Sequence, residues 1–359
     1  MGLIVDIKKD FGTFRLQVAF ESEKEVVGLL GASGCGKSMT LRCIAGIVTP
    51  DSGHISLNGR VLFDSKKRIN LSPQERKTGL LFQEYALFPN MTVMQNVLTG
   101  LRHSGLDKRS QLAKANEMLE KMQLKDLADR RPAQLSGGQK QRTALARMLV
   151  NQPEIFMLDE PFSALDSHLR WQTEREVLQL ARNFDGPVLM VSHSRDEIYH
   201  MCDCVLVYNH GYIDRAGKRS ELFHNPGTVR TALLTGCKNI AYARAAGDGK
   251  IFVPAWNIML SASAPADRNF SAVGIHAHFI TREDGENSFD AVVTQIVEGP
   301  IDALVFVQPV GAKHTMCWTV GKSACRRLAC GDVVRLSVRP KDILLLEGKI
   351  ADDGLICGQ

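Results

Sequence analysis

The chain has 359 residues, 44% of them hydrophobic and 23% charged, enough apolar material for about two domains and too much for a disordered tract. Its 44 basic and 39 acidic residues leave a net charge of +5, too mild and too dispersed for a dedicated nucleic-acid surface. No stretch reaches the ~18 continuous apolar residues of a membrane span. The start, MGLIVDIKKDF, has no leader pattern, and nine cysteines, an odd number, fit a reducing compartment.

Alternation of apolar and polar positions over residues 4–8 and 14–20 predicts two strands joined around Asp10-Phe11-Gly12-Thr13. The wholly apolar run 26–30 predicts a strand buried on both faces. A glycine-rich turn follows, then a helix over 38–47 that Pro50 and Gly53 end. Asn58-Gly59 predicts a hairpin within 54–62. Helical spacing recurs over 92–98, 108–122 and 138–151, broken by Gly105, Pro132 and Pro153. Strand signals return at 155–158 and 187–192, on either side of an amphipathic segment at 167–183. Strand, crossover helix and strand imply an α/β fold with a parallel sheet and a helical insertion. Beyond 227–236 the alternating pattern dominates, at 240–244, 272–279, 291–297, 303–309, 316–320 and 333–339, with turn residues between the runs. That is the pattern of a small all-β, barrel-like domain. The expected domains are 1–230, with a helical subdomain over about 84–151, and 231–359.

Gly31-Ala32-Ser33-Gly34-Cys35-Gly36-Lys37-Ser38 is a complete glycine-rich phosphate loop between a buried strand and a helix. Its glycines let successive amides point into one cavity, and the helix start adds unpaired N–H groups. Lys37 can reach the β- and γ-phosphates, and the Ser38 hydroxyl suits magnesium. A nucleoside triphosphate is the expected ligand. Residues 155–158 lead into Asp159 and Glu160. Asp159, at the strand's carboxyl end, is placed for magnesium, and Glu160 for holding the attacking water or taking its proton. Gln83 and His193 each follow an apolar strand-like run; spacing alone leaves both open to structural roles. Leu135-Ser136-Gly137-Gly138-Gln139 is a second anion-binding turn at a helix start, and equally an ordinary helix cap on Ser136.

Together these motifs resemble the nucleotide-binding subunits of ATP-binding-cassette transporters. The resemblance covers residues 1–230. It identifies Leu135 to Gln139 as the family signature, Asp159-Glu160 as the end of the second nucleotide motif, and Ser163-Ala164-Leu165-Asp166 as the loop that crosses the dimer. It assigns Gln83 as the transmission glutamine, a magnesium contact as well, and His193 as the switch histidine. Phe14, with Phe11 as alternative, would stack on adenine. It implies ATP and Mg2+ as ligands. Two cassettes would dimerise head to tail, each ATP lying between one phosphate loop and the other subunit's Ser136, Gly137, Gly138 and Gln139. The implied partners are two membrane pore subunits and an extracytoplasmic solute-binding protein, with no nucleic acid. The implied location is the cytoplasmic face of the cell membrane. A narrower resemblance, to molybdate importer ATPases, rests on the segments 10–16 and 58–62, Gly236-Cys237-Lys238-Asn239 and residues 273–278. Tungstate, sulfate or thiosulfate importers share this pattern; sugar and polyamine importers are the further alternative.

Overall fold

The computed structural model describes residues 2–163, 167–263, 269–348 and 355–357. It divides into two compact units, Met1–Arg219 and Ser220–Gln359.

The first unit is built on one eleven-stranded sheet. Its strands are β1 (Leu3–Asp10), β2 (Arg15–Ser22), β3 (Val26–Leu30), β4 (Ser52–Leu57), β5 (Arg60–Asp64), β6 (Ile69–Asn70), β7 (Thr78–Leu81), β8 (Ile155–Asp159), β9 (Val188–Ser192), β10 (Cys204–Asn209) and β11 (Tyr212–Lys218). The spatial order is β6-β5-β4-β1-β2-β11-β10-β3-β9-β8-β7. One wing, β6 to β2, is antiparallel. There the alternating pattern is read directly: Leu3, Val5 and Ile7 face the core while their neighbours face out. Asn58 (φ 52°) and Gly59 (φ 80°) turn the β4–β5 hairpin, both left-handed as a two-residue turn requires. The other wing, β10-β3-β9-β8-β7, is parallel. Its members β3, β8 and β9 are buried at every position, which is why their sequences are unbroken apolar runs.

Among the described residues six α-helices accompany the sheet: α1 (Lys37–Ala45), α2 (Val93–Thr99), α3 (Lys108–Lys121), α4 (Gly137–Leu149), α5 (Ser167–Arg182) and α6 (Arg195–Met201). Helices α2 to α4 enclose a core of their own around Val93, Val97, Leu119 and Ala146, giving the expected helical insertion.

The far end of α1 is anchored by a residue the sequence did not single out. Arg76 is fully buried, and its guanidinium donates to the carbonyls of Cys43 (2.8 Å), Ile44 (2.9 Å) and Leu71 (2.9 Å) and to Asn70 Oδ1 (2.8 Å). Cys43 and Ile44 lie in the last turn of α1, where regular helical donors run out and the Gly46 N–H, at 3.2 Å from the Cys43 carbonyl, caps the end. A positive charge there also complements the helix dipole. Arg76→Met keeps the volume and removes the donors, so it should cost about 2–3 kcal/mol. Chemical denaturation of the full chain reads this directly; an unchanged midpoint would mean that water replaces the guanidinium.

The second unit is mainly antiparallel, with three sheets: one from Asn239–Tyr242, Ala272–Ile275, Ile343–Leu346 and Leu355–Cys357; one from Arg244–Gly247, Lys250–Val253 and Ile258–Ser261; and one from Asn287–Glu298, Asp302–Pro309, Met316–Gly321 and Val333–Val338. Their inward residues, among them Ile251, Ile275, Val305, Leu336 and the fully buried Trp256, form one cluster, so the unit is barrel-like. The unit starts ahead of residue 230 for a physical reason. In the helix Val229–Leu234, Val229 and Ala232 pack with Ile240, Ala272 and Leu346.

Candidate active site

The phosphate loop runs from the end of β3 into α1. A Cβ at Gly31 would lie 2.8 Å from both the Tyr208 carbonyl oxygen and Cys35 Sγ, so no other residue fits that position without a shift. Gly34 (φ 75°) and Gly36 (φ 105°) take left-handed conformations open to glycine. Gly36 is also the N-cap of α1 and offers no side chain to it, so the first amides of the helix stay available to an anion. Lys37 is buried with its ammonium donating to the carbonyls of Gly31 and Ala32, each at 2.8 Å. Phe14 lies beside this loop, its Cε2 3.4 Å from the Cβ position of Gly36, and stacks on Phe11 at 4.9 Å across the β1–β2 turn.

Strand order then assembles what sequence separation hides. From β3 outward the parallel strands are β9, β8 and β7, and all end at one edge. The phosphate loop follows β3, His193 follows β9, Asp159 and Glu160 end β8, and Gln83 lies just past β7. The carboxyl edge of such a sheet is where α/β proteins place their ligands. Ser38 Oγ donates to Asp159 Oδ1 at 2.6 Å, joining the α1 start to the β8 end. Burial pushes the Asp159 carboxyl above the usual carboxylate range, and the Ser38 hydrogen bond opposes that shift. A short hydroxyl–carboxylate pair beside a phosphate cradle fits magnesium, which takes few protein oxygens and completes its shell from water and phosphate.

Glu160 has φ 48°, unusual for a residue with a side chain. Its N–H donates to the Val191 carbonyl at 3.1 Å, and its own carbonyl accepts from the Ser163 hydroxyl at 2.9 Å. The carboxylate so aimed contacts His193 Nε2 through Oε1. Glu160 is largely buried, while His193 is 42% exposed and faces outward. Gln83 is exposed and reaches this edge without a hydrogen bond to the pair. Ala164, Leu165 and Asp166 lie outside the described residues.

The Ser136 turn begins α4 as a full capping box. Ser136 Oγ accepts from the Gln139 N–H at 3.3 Å, and Gln139 Oε1 accepts from the Ser136 N–H at 2.9 Å. The helix-cap reading of this turn therefore holds within the chain. It does not exclude the anion reading, because the Ser136 hydroxyl proton is not used by the cap and Ser136 is exposed, with Gly137 and Gly138 partly so. Glu197, on α6, lies close enough to the site to feel the charges of Glu160 and His193. The Ser194-Arg195-Asp196-Glu197 spacing, a serine three residues ahead of a glutamate, was the signal that could have found it.

The sequence matches the family model described as ABC transporter over residues 17–163. The molybdenum import ATP-binding protein ModC of Paramagnetospirillum magneticum is 39% identical over 225 residues, 63% of this chain and 61% of that protein. The spermidine/putrescine import ATP-binding protein PotA of Bacillus cereus is 40% identical over 218 residues, 61% of this chain and 65% of that protein. The chain thus spans somewhat less than two thirds of the relatives it matches. A solved dimeric bacterial ABC transporter cassette superposes with a TM-score of 0.52 at 26% identity, covering 61% of this chain and 99% of that one. A dimeric post-hydrolysis cassette bound to ADP and phosphate gives 0.51, with the same identity and coverage. A phosphate loop, a capped glycine turn and a carboxylate edge on this sheet order, within and beside the matched segment, are what the first unit has in common with the ABC transporter model and with these solved cassettes.

Proposed function

We propose that the chain hydrolyses ATP as one half of a cassette dimer, and that hydrolysis drives import through separate membrane subunits. The observation carrying this reading is the convergence at one sheet edge of the Ser38–Asp159 hydrogen bond and the Glu160–His193 contact. Lys37 exchanges its two carbonyl partners for phosphate oxygens, a charge-assisted contact. Ser38, Asp159 and Gln83 would hold magnesium, which neutralises charge on the β- and γ-phosphates when bound. Glu160 accepts the proton of the attacking water. His193 orients Glu160 and the γ-phosphate from the outer side. Phe14 stacks on adenine at the rim. The Ser136 hydroxyl, the Gly137 and Gly138 amides and Gln139 of the second copy close over the γ-phosphate, so an isolated monomer hydrolyses slowly. Among the described residues no helix is long and apolar enough to cross a membrane. On this reading the pore belongs to two other polypeptides, with the cassettes docked at the cytoplasmic face and an extracytoplasmic binding protein delivering cargo.

For the cargo, the resemblance to molybdate importers and the similarity to ModC support an oxyanion, molybdate first, then tungstate and sulfate. The similarity to PotA proteins, 40–41% identical against 39% and 35% for ModC proteins, supports the polyamine alternative better. A cassette touches nucleotide and not cargo, so these identities do not rank an anion above a cation. Vesicles holding the assembled transporter separate the two. ATPase activity is measured with binding protein preloaded with molybdate, tungstate, sulfate or spermidine. Stimulation by an oxyanion alone establishes the first reading and stimulation by spermidine alone the second. If none stimulates, the import assignment falls while ATP hydrolysis is judged separately.

A further inference from the structure

His193 is half-exposed at the mouth of the site, and its contact with Glu160 does not by itself fix a side chain that begins where β9 ends. Its neighbours do. Ser192, the last residue of β9, is buried, and its hydroxyl donates to Glu197 Oε2 at 2.5 Å while accepting the Ser194 N–H at 2.9 Å. Ser194 caps α6, its hydroxyl accepting the Glu197 N–H at 3.2 Å. In an ordinary capping box the glutamate would reach back to the N-cap amide itself. Here the Ser192 hydroxyl is inserted between them, so Ser192 is tied to the Glu197 carboxylate directly and Ser194 through the Ser192 hydroxyl.

We propose that Glu197 is a positioning residue for the hydrolytic reaction, holding His193 against Glu160 through the Ser192 hydroxyl. Glu197 touches neither His193 nor the phosphate loop in any hydrogen bond described here, so it acts through the turn. Arg170 on α5 supplies a favourable charge to this carboxylate, while desolvation and Glu160 act against its ionised form. The strand-to-helix turn is thereby pinned from the α6 side, and the His193 backbone cannot rotate without breaking the relay. This inference rests on the reading of the site as an ATPase.

The test is steady-state ATPase of the full chain at saturating Mg-ATP, in a set of variants. Glu197→Ala and Ser192→Ala should each lower kcat about tenfold, the scale of a modest misplacement of a reacting group, with KM within about twofold. Together they should cost no more than either alone. Glu197→Gln, which still accepts from Ser192, should restore most of the rate. In a His193→Ala background, Glu197→Ala should have no further effect. A crystal structure of Glu197→Ala should show Glu160 in place and the His193 ring released from it. A full additional loss in the His193→Ala background, or a change in thermal midpoint with kcat unaltered, overturns the positioning role. If instead the parent chain and Glu160→Gln hydrolyse ATP equally, the ATPase reading itself fails, and the structure of Glu197→Ala still decides whether the relay holds His193.

Discussion

Glu160→Gln should lower kcat for ATP by about 10²–10⁴-fold, the range expected when a positioned general base is removed, while ATP binding persists or tightens. Glutamine keeps the length of the side chain and an oxygen for His193, but it cannot take a proton from water. Its fold should be undisturbed, because the left-handed backbone at residue 160 is held by main-chain bonds to Val191 and Ser163 rather than by the carboxylate. Tighter binding follows from electrostatics: the Glu160 charge opposes ionisation of Asp159 and Glu197, and it repels a triphosphate in the same way. The variant should therefore accumulate as an ATP-bound dimer, visible by light scattering on addition of Mg-ATP. A variant that hydrolyses at the parental rate removes Glu160 from the mechanism. One that no longer dimerises with ATP makes the carboxylate a structural element of the closed state.

The candidate site was legible wherever its residues are contiguous. The phosphate loop, the Ser136 turn and the Asp159-Glu160 pair each carry their chemistry within a few residues, and the structure keeps each at the element boundary expected for it. What could not be read was their convergence, since the order β3-β9-β8-β7 is set by crossover connections and not by local spacing. Strand β10 was missed although it lies beside β3; only two residues separate it from α6, and it ends in a tight turn at His210 and Gly211, both at positive φ. Arg76 was missed for a different reason. It sits in the polar stretch 72–77, which reads as solvated surface, and only tertiary packing turns its guanidinium inward onto α1. In the second unit the strands of 287–338 were expected, although alternation lapses where Met316, Cys317 and Trp318 are buried in succession. The short hairpin at Lys250–Val253 and Ile258–Ser261 was not, because its turn centres on a buried tryptophan instead of glycine.

Asp159→Asn should stabilise the nucleotide-free chain and abolish its response to magnesium. Asp159 is almost fully buried and its carboxyl is raised above the ordinary value of 3.8, chiefly by desolvation. An acid with a raised folded value binds its proton more tightly in the fold than in the unfolded chain. The fold is therefore favoured at pH below 3.8 and loses that advantage as pH climbs through the raised value. Above that value the parent chain carries the penalty of a buried carboxylate, which the proposed magnesium would offset. Asparagine carries no charge and its Oδ1 still accepts from Ser38, so the melting temperature at pH 7 should rise by on the order of 2 °C. Toward acid pH the difference between the two proteins should shrink, because the parent's own carboxyl takes up its proton as pH falls through the raised value. The cost falls on function: Mg-ATP at about 100 times its dissociation constant stabilises a binding-competent protein by roughly 2.7 kcal/mol, and the variant should lose the magnesium-dependent part of that gain. Thermal scans between pH 4 and 7.5, with ATP alone and with Mg-ATP, separate the two effects. A variant that melts lower than the parent at pH 7 without nucleotide would mean that the Asp159 charge is satisfied inside the protein. A variant still raised by Mg-ATP as far as the parent would mean that magnesium is held elsewhere.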